Sequence, residues 1–360
     1  MGVITVLVSR AVFLTVALII ILFLTAVIIG ASGYDEMILK AILSENVRAY
    51  RQSLLHAMKG NLSREEIDKL VKQYEEEMRH ALGLDRPWYE RILPNVYRIL
   101  VLDLGNATSE DVCALAGLAW PCRVKDVIAI VLPRTIVMIT VAQLICAAIA
   151  IPLGPWLAYR RGSIADRFAV SYAALFNAIP VWWLAMAFIY VFGFILGIAP
   201  TDFRGVASAL NELSVNPFKA IREVLYYAYV PIITVVISFL GSWIYYTRSM
   251  VLRVVSEDFV TVARAKGLPE RLVIRRHIIR AAAPPIVTYT ILSLASSIGG
   301  YIITESIFDW PGMGTLYWIA IQVGDASTLL GLVYITTLVY IIARFILEVL
   351  YVILDPRVRY

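Results

Sequence analysis

The chain has 360 residues, of which 60% are hydrophobic and 16% are charged, and its mean hydropathy is +0.77. Soluble domains carry about 25% charged residues, so this composition excludes a soluble globular protein and indicates one embedded in a lipid bilayer. The net charge of +5 does not indicate a nucleic-acid partner, because the positive residues cluster at particular ends of apolar segments.

Apolar segments long enough to cross a membrane recur along the chain. A bilayer core about 30 Å thick requires roughly 20 predominantly apolar residues per helix. Six segments meet this requirement, at residues 11–31, 128–159, 168–198, 226–251, 286–303 and 328–354. The sequence therefore predicts an all-α integral membrane protein with six transmembrane helices. Helix 1 lies in residues 1–33, a soluble-looking insertion fills residues 34–126, and helices 2 to 6 occupy residues 127–360.

The distribution of Lys and Arg predicts the orientation of the chain. Positive residues of short loops favour the cytoplasmic side. They gather between helices 2 and 3, between helices 4 and 5, and at the C-terminus, at positions Arg160, Arg161, Arg167, Arg253, Arg264, Lys266, Arg271, Arg275, Arg276, Arg280, Arg357 and Arg359. We therefore expect both termini to be cytoplasmic and residues 34–126 to be extracytoplasmic. A cleaved signal peptide is the alternative for helix 1, although its apolar stretch exceeds the roughly 7 to 15 residues of a signal h-region; cleavage would leave five helices and an external N-terminus.

The insertion is predicted to be mostly helical. Ser63 and Glu66 have the spacing of a capping box, which predicts the start of a helix there. That helix can continue to Gly83, a suitable C-terminal stop. Cys113 and Cys122 both lie in the insertion, where an oxidising compartment would permit a disulfide; two free thiols are the alternative. The three histidines, at His56, His80 and His277, are scattered, so we expect no metal site.

Polar residues inside the apolar segments are candidates for function, since they are costly in lipid. They are Gln143, Asn177, Glu305, Arg344 and Glu348. Arg344 and Glu348 are four residues apart on helix 6, so a structural ion pair is expected. Asn177 and Glu305 are candidates for a translocation pathway, and for Glu305 the alternative is to brace the turn after helix 5.

The loop between helices 4 and 5, at residues 255–285, has the most distinctive sequence. A short helix from Glu257 to Lys266 is predicted to stop at Gly267, which can take a positive φ, and Pro269 can open a second helix. The small side chains of Ala263 and Ala265 would let a partner protein approach the corner closely. Arg264 and Lys266 would offer positive charge to the acidic rim of that partner. An ordinary positive-inside anchor loop would explain the arginines but not the alanines and the glycine.

This loop resembles the EAA loop of permease subunits of ATP-binding-cassette importers, through residues 263–267, the basic run at 275–277 and Pro285. Further matching stretches extend the resemblance over nearly the whole chain, at residues 85–91, 103–105, 151–154, 160–163, 309–314 and 354–360. Together they are similar to the first permease subunit of the oligopeptide, dipeptide and nickel class. The chain departs from this pattern at Thr261, Val262 and Pro284.

The resemblance implies a type I importer permease fold. It also implies pairing with a second, homologous permease, two ATPase subunits and an extracytoplasmic solute-binding protein. The helix that ends at Gly267 would be the coupling helix, with its ATPase-coupling residues at Glu257, Thr261, Ala263, Arg264, Ala265, Lys266 and Gly267. The chain has no Gly-x-x-x-x-Gly-Lys-Ser/Thr sequence, so it is expected to be a transport subunit without cofactor or enzymatic activity, with ATP and Mg²⁺ bound by the ATPases.

Two other classes of membrane protein are alternatives, an ion-coupled secondary transporter and a membrane-embedded enzyme. A secondary transporter would be expected to have inverted repeats and charged residues at mid-membrane, and the sequence shows no such repeat. An enzyme would need a catalytic group of residues, and the sequence shows no such group. The predicted mechanism is alternating access. Peptides are the preferred substrate, with oligosaccharides and nickel as alternatives. The 20 Tyr and 8 Trp suit either sugar stacking or anchoring at the bilayer surface.

Overall fold

A computed structural model describes residues 3–57 and 64–354 of the chain, and the described residues are predominantly helical. Their only extended pairing is an isolated antiparallel bridge between Asn106 and Arg123. The predicted cap residue Ser63, the tail arginines Arg357 and Arg359, and residues 355–360 of the matching C-terminal stretch lie outside the described residues.

The first five helices belong to the N-terminal membrane segment and the insertion. They are α1 (Val3–Ala31), α2 (Tyr34–Ala57), α3 (Arg64–Ala81), α4 (Trp88–Leu100) and α5 (Glu110–Ala116). The remaining helices, with three π-helical turns between them, form the rest of the membrane domain. They are α6 (Val124–Thr135), α7 (Val141–Tyr159), α8 (Ile164–Ala178), α9 (Val181–Phe188), α10 (Val206–Asn211), α11 (Pro217–Val255), α12 (Asp258–Ala265), α13 (Glu270–Leu272), α14 (Ile279–Ser297), α15 (Ile302–Ile307), α16 (Met313–Val323) and α17 (Ala326–Leu354).

Five continuous helical stretches among the described residues are long and apolar enough to cross a membrane, which accounts for five of the six predicted spans. They are Leu7–Ala31, Val124–Tyr159, Pro217–Val255, Glu270–Ser297 and Ala326–Tyr351. A sixth span is reached if one bent pair of helices counts as a single crossing. The structure is thus the all-α membrane fold that the sequence predicts.

The third predicted span is not one continuous helix. Ile164–Ala178 and Val181–Ile195 meet at an angle of 91°. Between them Ile179 is extended and Pro180 precedes the first residue of α9. Proline lacks the N–H that would continue the ladder, and its ring disfavours helical geometry in the residue before it. An uninterrupted helix over residues 168–198 is therefore a wrong prediction.

The fifth span also differs from its predicted bounds of 286–303. The helix begins at Glu270 and ends at Ser297, so the second helix of the basic loop and the fifth membrane helix are one continuous element. It stops before Gly300, whose φ of +78° is unfavourable for residues with a side chain. Glu305 consequently lies in the separate helix α15 and not at the end of the fifth span.

The insertion consists of two parts. Helices α2 and α3 form a hairpin held by stacked rings of Tyr50 and Tyr74, with centroids 4.2 Å apart, and by an ion pair between Arg51 and Asp68 at 2.6 Å. Helix α3 ends just before Gly83, whose φ is +68°, as the sequence predicts. Helices α4 and α5 instead share a buried core with α1, α6, α16 and α17. The second half of the insertion is therefore part of the membrane domain's packing.

Cys113 of α5 is bonded to Cys122 by a disulfide of 1.99 Å. Both residues are buried in the core that α5 shares with α6 and α16. Of the two alternatives left by the sequence, the structure contains the bridge. Cys146 of α7 is a free, buried thiol.

Candidate functional site

The basic loop forms a helix, a sharp corner and a second helix, as its sequence predicts. Helix α12 begins after Glu257 and ends at Ala265, and Gly267 then has a φ of +75°. The Gly267 N–H donates to the carbonyl of Arg264 at 2.9 Å, which closes the helix end. Pro269 is the residue before α13, where its missing N–H leaves no bond unmade.

Gly267 is needed for its backbone angle and not for space. A Cβ atom at this position would have no heavy atom within 4 Å. A residue with a side chain would therefore meet only the conformational cost of the left-handed region, about 1–2 kcal/mol. The corner is open to solvent on its outer side, where a partner could approach it.

The inner face of α12 is packed into the membrane domain. Val260 and Ala263 belong to one buried cluster with Ala158 of α7, Val251 of α11 and Ala282 of α14. Ala263 is only 4% exposed, so its small size serves packing within the chain. The prediction that Ala263 leaves room for a partner is wrong for this reason. The other predicted coupling residues are exposed, namely Glu257, Thr261, Arg264, Ala265, Lys266 and Gly267.

Arg264 braces the corner from within the loop. Its Nη2 atom lies 2.9 Å from Oε1 of Glu270, at the start of α13, and its Nε atom also contacts that carboxylate. The carboxylate raises the pKa of Arg264, so the guanidinium keeps its charge. Arg264 is also exposed, so its offer of charge to a partner's acidic rim stays a prediction, with Glu270 as a competing partner within the loop.

Two apolar residues on the outer face of α12 were missed by the sequence interpretation. Phe259 is 44% exposed and Val262 is 51% exposed. They are three residues apart, on a side of the helix that borders the buried residues Val260 and Ala263, since Phe259 and Ala263 are themselves four residues apart. The sequence carries a partial signal, since the apolar residues at 259, 260, 262 and 263 form one broad stripe, but which of them stay exposed depends on how the loop packs.

Asn177 lies at the end of α8, next to the bend. Its side chain is exposed, and its Oδ1 atom accepts a hydrogen bond from the hydroxyl of Ser242 on α11. A pathway role for Asn177 stays a prediction at this point.

Glu305 is buried in α15 and faces the start of α16. Its carboxylate accepts hydrogen bonds from the N–H groups of Gly314 at 2.9 Å and Thr315 at 3.4 Å, in the first turn of α16, and from the hydroxyl of Thr135 at 3.2 Å. These N–H groups would otherwise lack partners at the helix start. Burial raises the pKa of Glu305 to about 7, against the lowering effect of these donors. The geometry corresponds to the bracing alternative, and a pathway role for Glu305 stays a prediction.

The predicted ion pair of the last helix is confirmed. Arg344 Nη2 lies 3.4 Å from Glu348 Oε1, and Arg10 of α1 reaches the same carboxylate at 4.0 Å. In the part of the chain that the structure describes, no group of three or more His, Cys, Asp or Glu is placed to hold a metal ion.

Comparison with known proteins identifies the membrane domain. Residues 150–360, more than half of the chain, match the family of binding-protein-dependent transport system inner membrane components. The chain belongs to this family. The matched part of this inner membrane component contains the bent pair, α11 and the whole of the basic loop.

Curated relatives of this inner membrane component are permease proteins. It is 28% identical over 293 residues to the oligopeptide transport system permease protein AppB of Bacillus subtilis (strain 168), which covers 81% of this chain and 87% of that protein. It is 28% identical over 304 residues to the dipeptide transport system permease protein DppB of Escherichia coli (strain K12), covering 78% and 86%. A putative peptide transport system permease protein of Brucella abortus (strain 2308) is 30% identical over 285 residues, covering 79% and 84%.

The family and the relatives together establish the class of this protein. It is a multi-pass membrane permease subunit of a binding-protein-dependent transport system. These matches favour neither the ion-coupled secondary transporter nor the membrane-embedded enzyme.

Proposed function

We propose that this permease imports peptides in an ATP-driven transporter and that α12 is the element through which partner ATPases drive it. The relatives that cover most of the chain are named as oligopeptide, dipeptide and peptide permeases, which supports peptides over oligosaccharides. The observation that carries the coupling role is the division of α12 into a buried inner face and an outer face with exposed Phe259 and Val262.

The inner face gives α12 a mechanical connection to the membrane helices. Val260 and Ala263 contact a cluster formed by the ends of α7 and α11 and the beginning of α14. Close packing transmits displacement because the interior has little free volume. A movement of α12 would therefore be passed to three helices of the bundle, while the bridge from Arg264 to Glu270 keeps the corner closed.

The complete transporter would contain this permease, a second homologous permease, two ATPase subunits and a solute-binding protein. ATP and Mg²⁺ would be held by the ATPases, and this chain would bind no cofactor. Both termini and α12 would be cytoplasmic, because Lys and Arg concentrate on that side, and residues 34–126 would face outward. Tighter binding of ATP to the closed ATPase dimer would shift the permease pair from inward-facing to outward-facing, and hydrolysis would reset it.

A pull-down with a matched pair of variants tests the docking role. Val262→Asp places a charge on the proposed contact, so we expect ATPase subunits to be recovered with the wild-type chain and lost with this variant. Leu55→Asp, at an exposed apolar position of α2, is the control and should recover them normally. Equal recovery with both variants would overturn docking through α12.

Peptide import is tested separately with the purified, reconstituted assembly. ATP-dependent uptake of a radiolabelled dipeptide by proteoliposomes, in the presence of the binding protein, is the expected result. Uptake of an oligosaccharide in place of the dipeptide would show that the substrate assignment is wrong, while leaving the coupling role intact.

A further inference from the structure

A stripe of exposed and half-buried uncharged polar side chains runs across three membrane helices. It consists of Asn177 on α8, Ser242 and Tyr246 on α11, and Tyr289, Ser293 and Ser296 on α14. We refer to these six residues as the polar stripe. Residues 242 and 246, 289 and 293, and 293 and 296 are three or four positions apart, so within each helix they share a face.

Direct contacts connect the stripe from one helix to the next. The hydroxyl of Ser242 donates to Asn177, and the rings of Tyr246 and Tyr289 lie 5.1 Å apart. Tyr289 and Ser293 are four residues apart on α14, and the hydroxyl of Ser296 donates to the carbonyl of Ser293 at 2.9 Å. The stripe is therefore a continuous surface and not a set of isolated polar residues.

Contact with lipid hydrocarbon would be unfavourable for the polar stripe. Asn177 and Ser296 are exposed in the isolated chain, and Tyr246 is 48% exposed. Polar side chains within membrane helices usually face the bundle interior or a water-filled cavity, because hydrocarbon offers them no hydrogen-bond partner. The stripe also begins beside the bend between α8 and α9, and interrupted helical backbone at membrane depth is tolerated where it lines a cavity.

The stripe opens into a groove of about 800 Å³ between α14 and α17. Tyr289, Ser293 and Ser296 lie along its wall, together with Thr288, Tyr340 and Tyr351. Every residue described along this wall is uncharged. The groove is mostly apolar, with Met250, Pro284, Pro285 and Leu292 beside the aromatic rings, and the hydroxyl groups are its polar positions. Such a lining can contact a peptide backbone and many kinds of side chain.

Buried hydrogen bonds hold the wall in place from behind. Trp243 packs edge-on against Tyr289, with ring centroids 4.6 Å apart, and its Nε1 atom donates to Gln143 at 2.7 Å. Gln143 in turn donates to the hydroxyl of Tyr301 at 2.8 Å. A fixed wall suits a passage that must keep its shape while different substrates move along it.

We infer that the polar stripe lines the route of the transported peptide and that its neutrality lets peptides of either charge pass. The inference rests on the proposed import of peptides and adds the residues of the route and the basis of its charge tolerance. A carboxylate or ammonium in the wall would attract one class of peptide and repel the other, strongly so in a medium less polar than water.

Charge substitution in the wall tests the inference in the assembled transporter with its binding protein. The probes are the dipeptides Ala-Lys and Ala-Glu, with uptake divided by the amount that the binding protein captures. We expect the wild-type ratio to stay within a few-fold of one. Ser293→Asp should lower uptake of Ala-Glu relative to Ala-Lys by about tenfold, Ser293→Lys should reverse the preference, and Ser293→Asn, the neutral control, should leave the ratio unchanged.

Thiol labelling provides a second measurement if a charged variant fails to fold. Ser296→Cys should react with a water-soluble thiol reagent in the membrane, and transported dipeptide should slow the reaction. Thr290→Cys, on the apolar side of α14 that faces α7, should not react. Unchanged ratios in the folded charged variants, or an unreactive Ser296→Cys, would overturn the inference. Wild-type protein that takes up neither dipeptide would instead contradict the proposed function.

Discussion

Asp166 and Arg248 form a buried ion pair where α8 begins and α11 approaches its end. Arg248 Nη2 donates to Oδ2 of Asp166 at 2.8 Å, its Nε donates to Oδ1, and the N–H of Gly162 donates to Oδ2 at 2.8 Å. The side chain of Arg248 is 12% exposed and that of Asp166 is 5% exposed. With several donors satisfying the carboxylate, the pair ties the first turn of α8 to α11.

Removal of one partner of this pair should destabilise the protein. Asp166→Ala leaves the guanidinium of Arg248 buried without a counter-charge, and such a change costs about 3–5 kcal/mol. The double variant Asp166→Leu with Arg248→Met replaces both charges by apolar groups and should lose less. Thermal unfolding of the detergent-solubilised proteins gives the comparison, and an unfolding temperature of Asp166→Ala equal to wild type would show that the pair is not a structural tie.

Glu305 should make stability depend on pH. Its pKa is about 7 in the folded protein, above the ordinary value of 4.5, so the folded state binds a proton more tightly than the unfolded state between these values. Stability is therefore expected to fall as pH rises through that window. Glu305→Gln should reduce this dependence, whereas Glu90→Gln, at an exposed position of α4, should keep it. Unfolding measured on both sides of the window distinguishes them, and identical pH profiles for wild type and Glu305→Gln would exclude Glu305 as the source.

At the scale of single elements, the coupling corner depends on one backbone angle. Gly267→Val should strain the corner and raise the ATP hydrolysed per peptide imported, because α12 would no longer be held in register with α14. Gly267→Asn should be milder, since asparagine enters the left-handed region more easily. Gly117→Val is the matched control, with a similar φ of +74° and no neighbour within 4 Å, but located at the end of α5.

The ratio of ATP hydrolysis to dipeptide uptake in proteoliposomes measures this effect. Gly117→Val carries the same backbone cost outside the loop, so its ratio should remain that of wild type. A wild-type ratio in Gly267→Val would contradict a mechanical role for the corner.

The corner could be predicted from sequence because its determinants are local. A glycine that takes a positive φ and a proline that opens a helix act within a few residues of chain. The burial of the Ala263 side chain against the membrane helices and the ion pair of Arg264 with Glu270 could not be predicted. Both depend on where α13 and the membrane helices lie. The bracing role of Glu305 could not be predicted either, because its hydrogen-bond donors belong to other elements, namely the start of α16 and Thr135 on α6.

The bend at Pro180 shows why helix breaks are difficult to predict from proline alone. Prolines lie inside five of the described helices that stay continuous, at Pro94, Pro133, Pro152, Pro155, Pro231, Pro284 and Pro285. Hydropathy is also high on both sides of Pro180, so the apolar stretch appears uninterrupted. Neighbouring helices and side chains can satisfy the backbone groups that proline frees, and this depends on packing that the local sequence does not contain.

At the scale of the whole molecule, the α2–α3 hairpin and the coupling loop are proposed to lie on opposite sides of the membrane. Lys266→Cys in the loop should react with a membrane-impermeant thiol reagent only after cells are permeabilised. Glu76→Cys, at an exposed position of α3, should react in intact cells. Labelling of each cysteine-substituted variant in intact and in permeabilised cells checks this, and reaction of Lys266→Cys without permeabilisation would overturn the orientation.

Background labelling should be low in this experiment. Cys113 and Cys122 are joined to each other, and Cys146 is buried in α7. The unsubstituted chain is the control and should remain unlabelled before and after permeabilisation.

The two faces of α12 place separate constraints on its sequence. Substitutions at Val260 or Ala263 disturb the packing of α7, α11 and α14, and therefore the stability of the permease itself. Substitutions at the exposed Phe259 or Val262 act mainly on the surface that a partner would contact. Under the proposed docking through α12, exchange of outer residues in a single helical turn would adapt the permease to a different ATPase without redesign of the membrane domain.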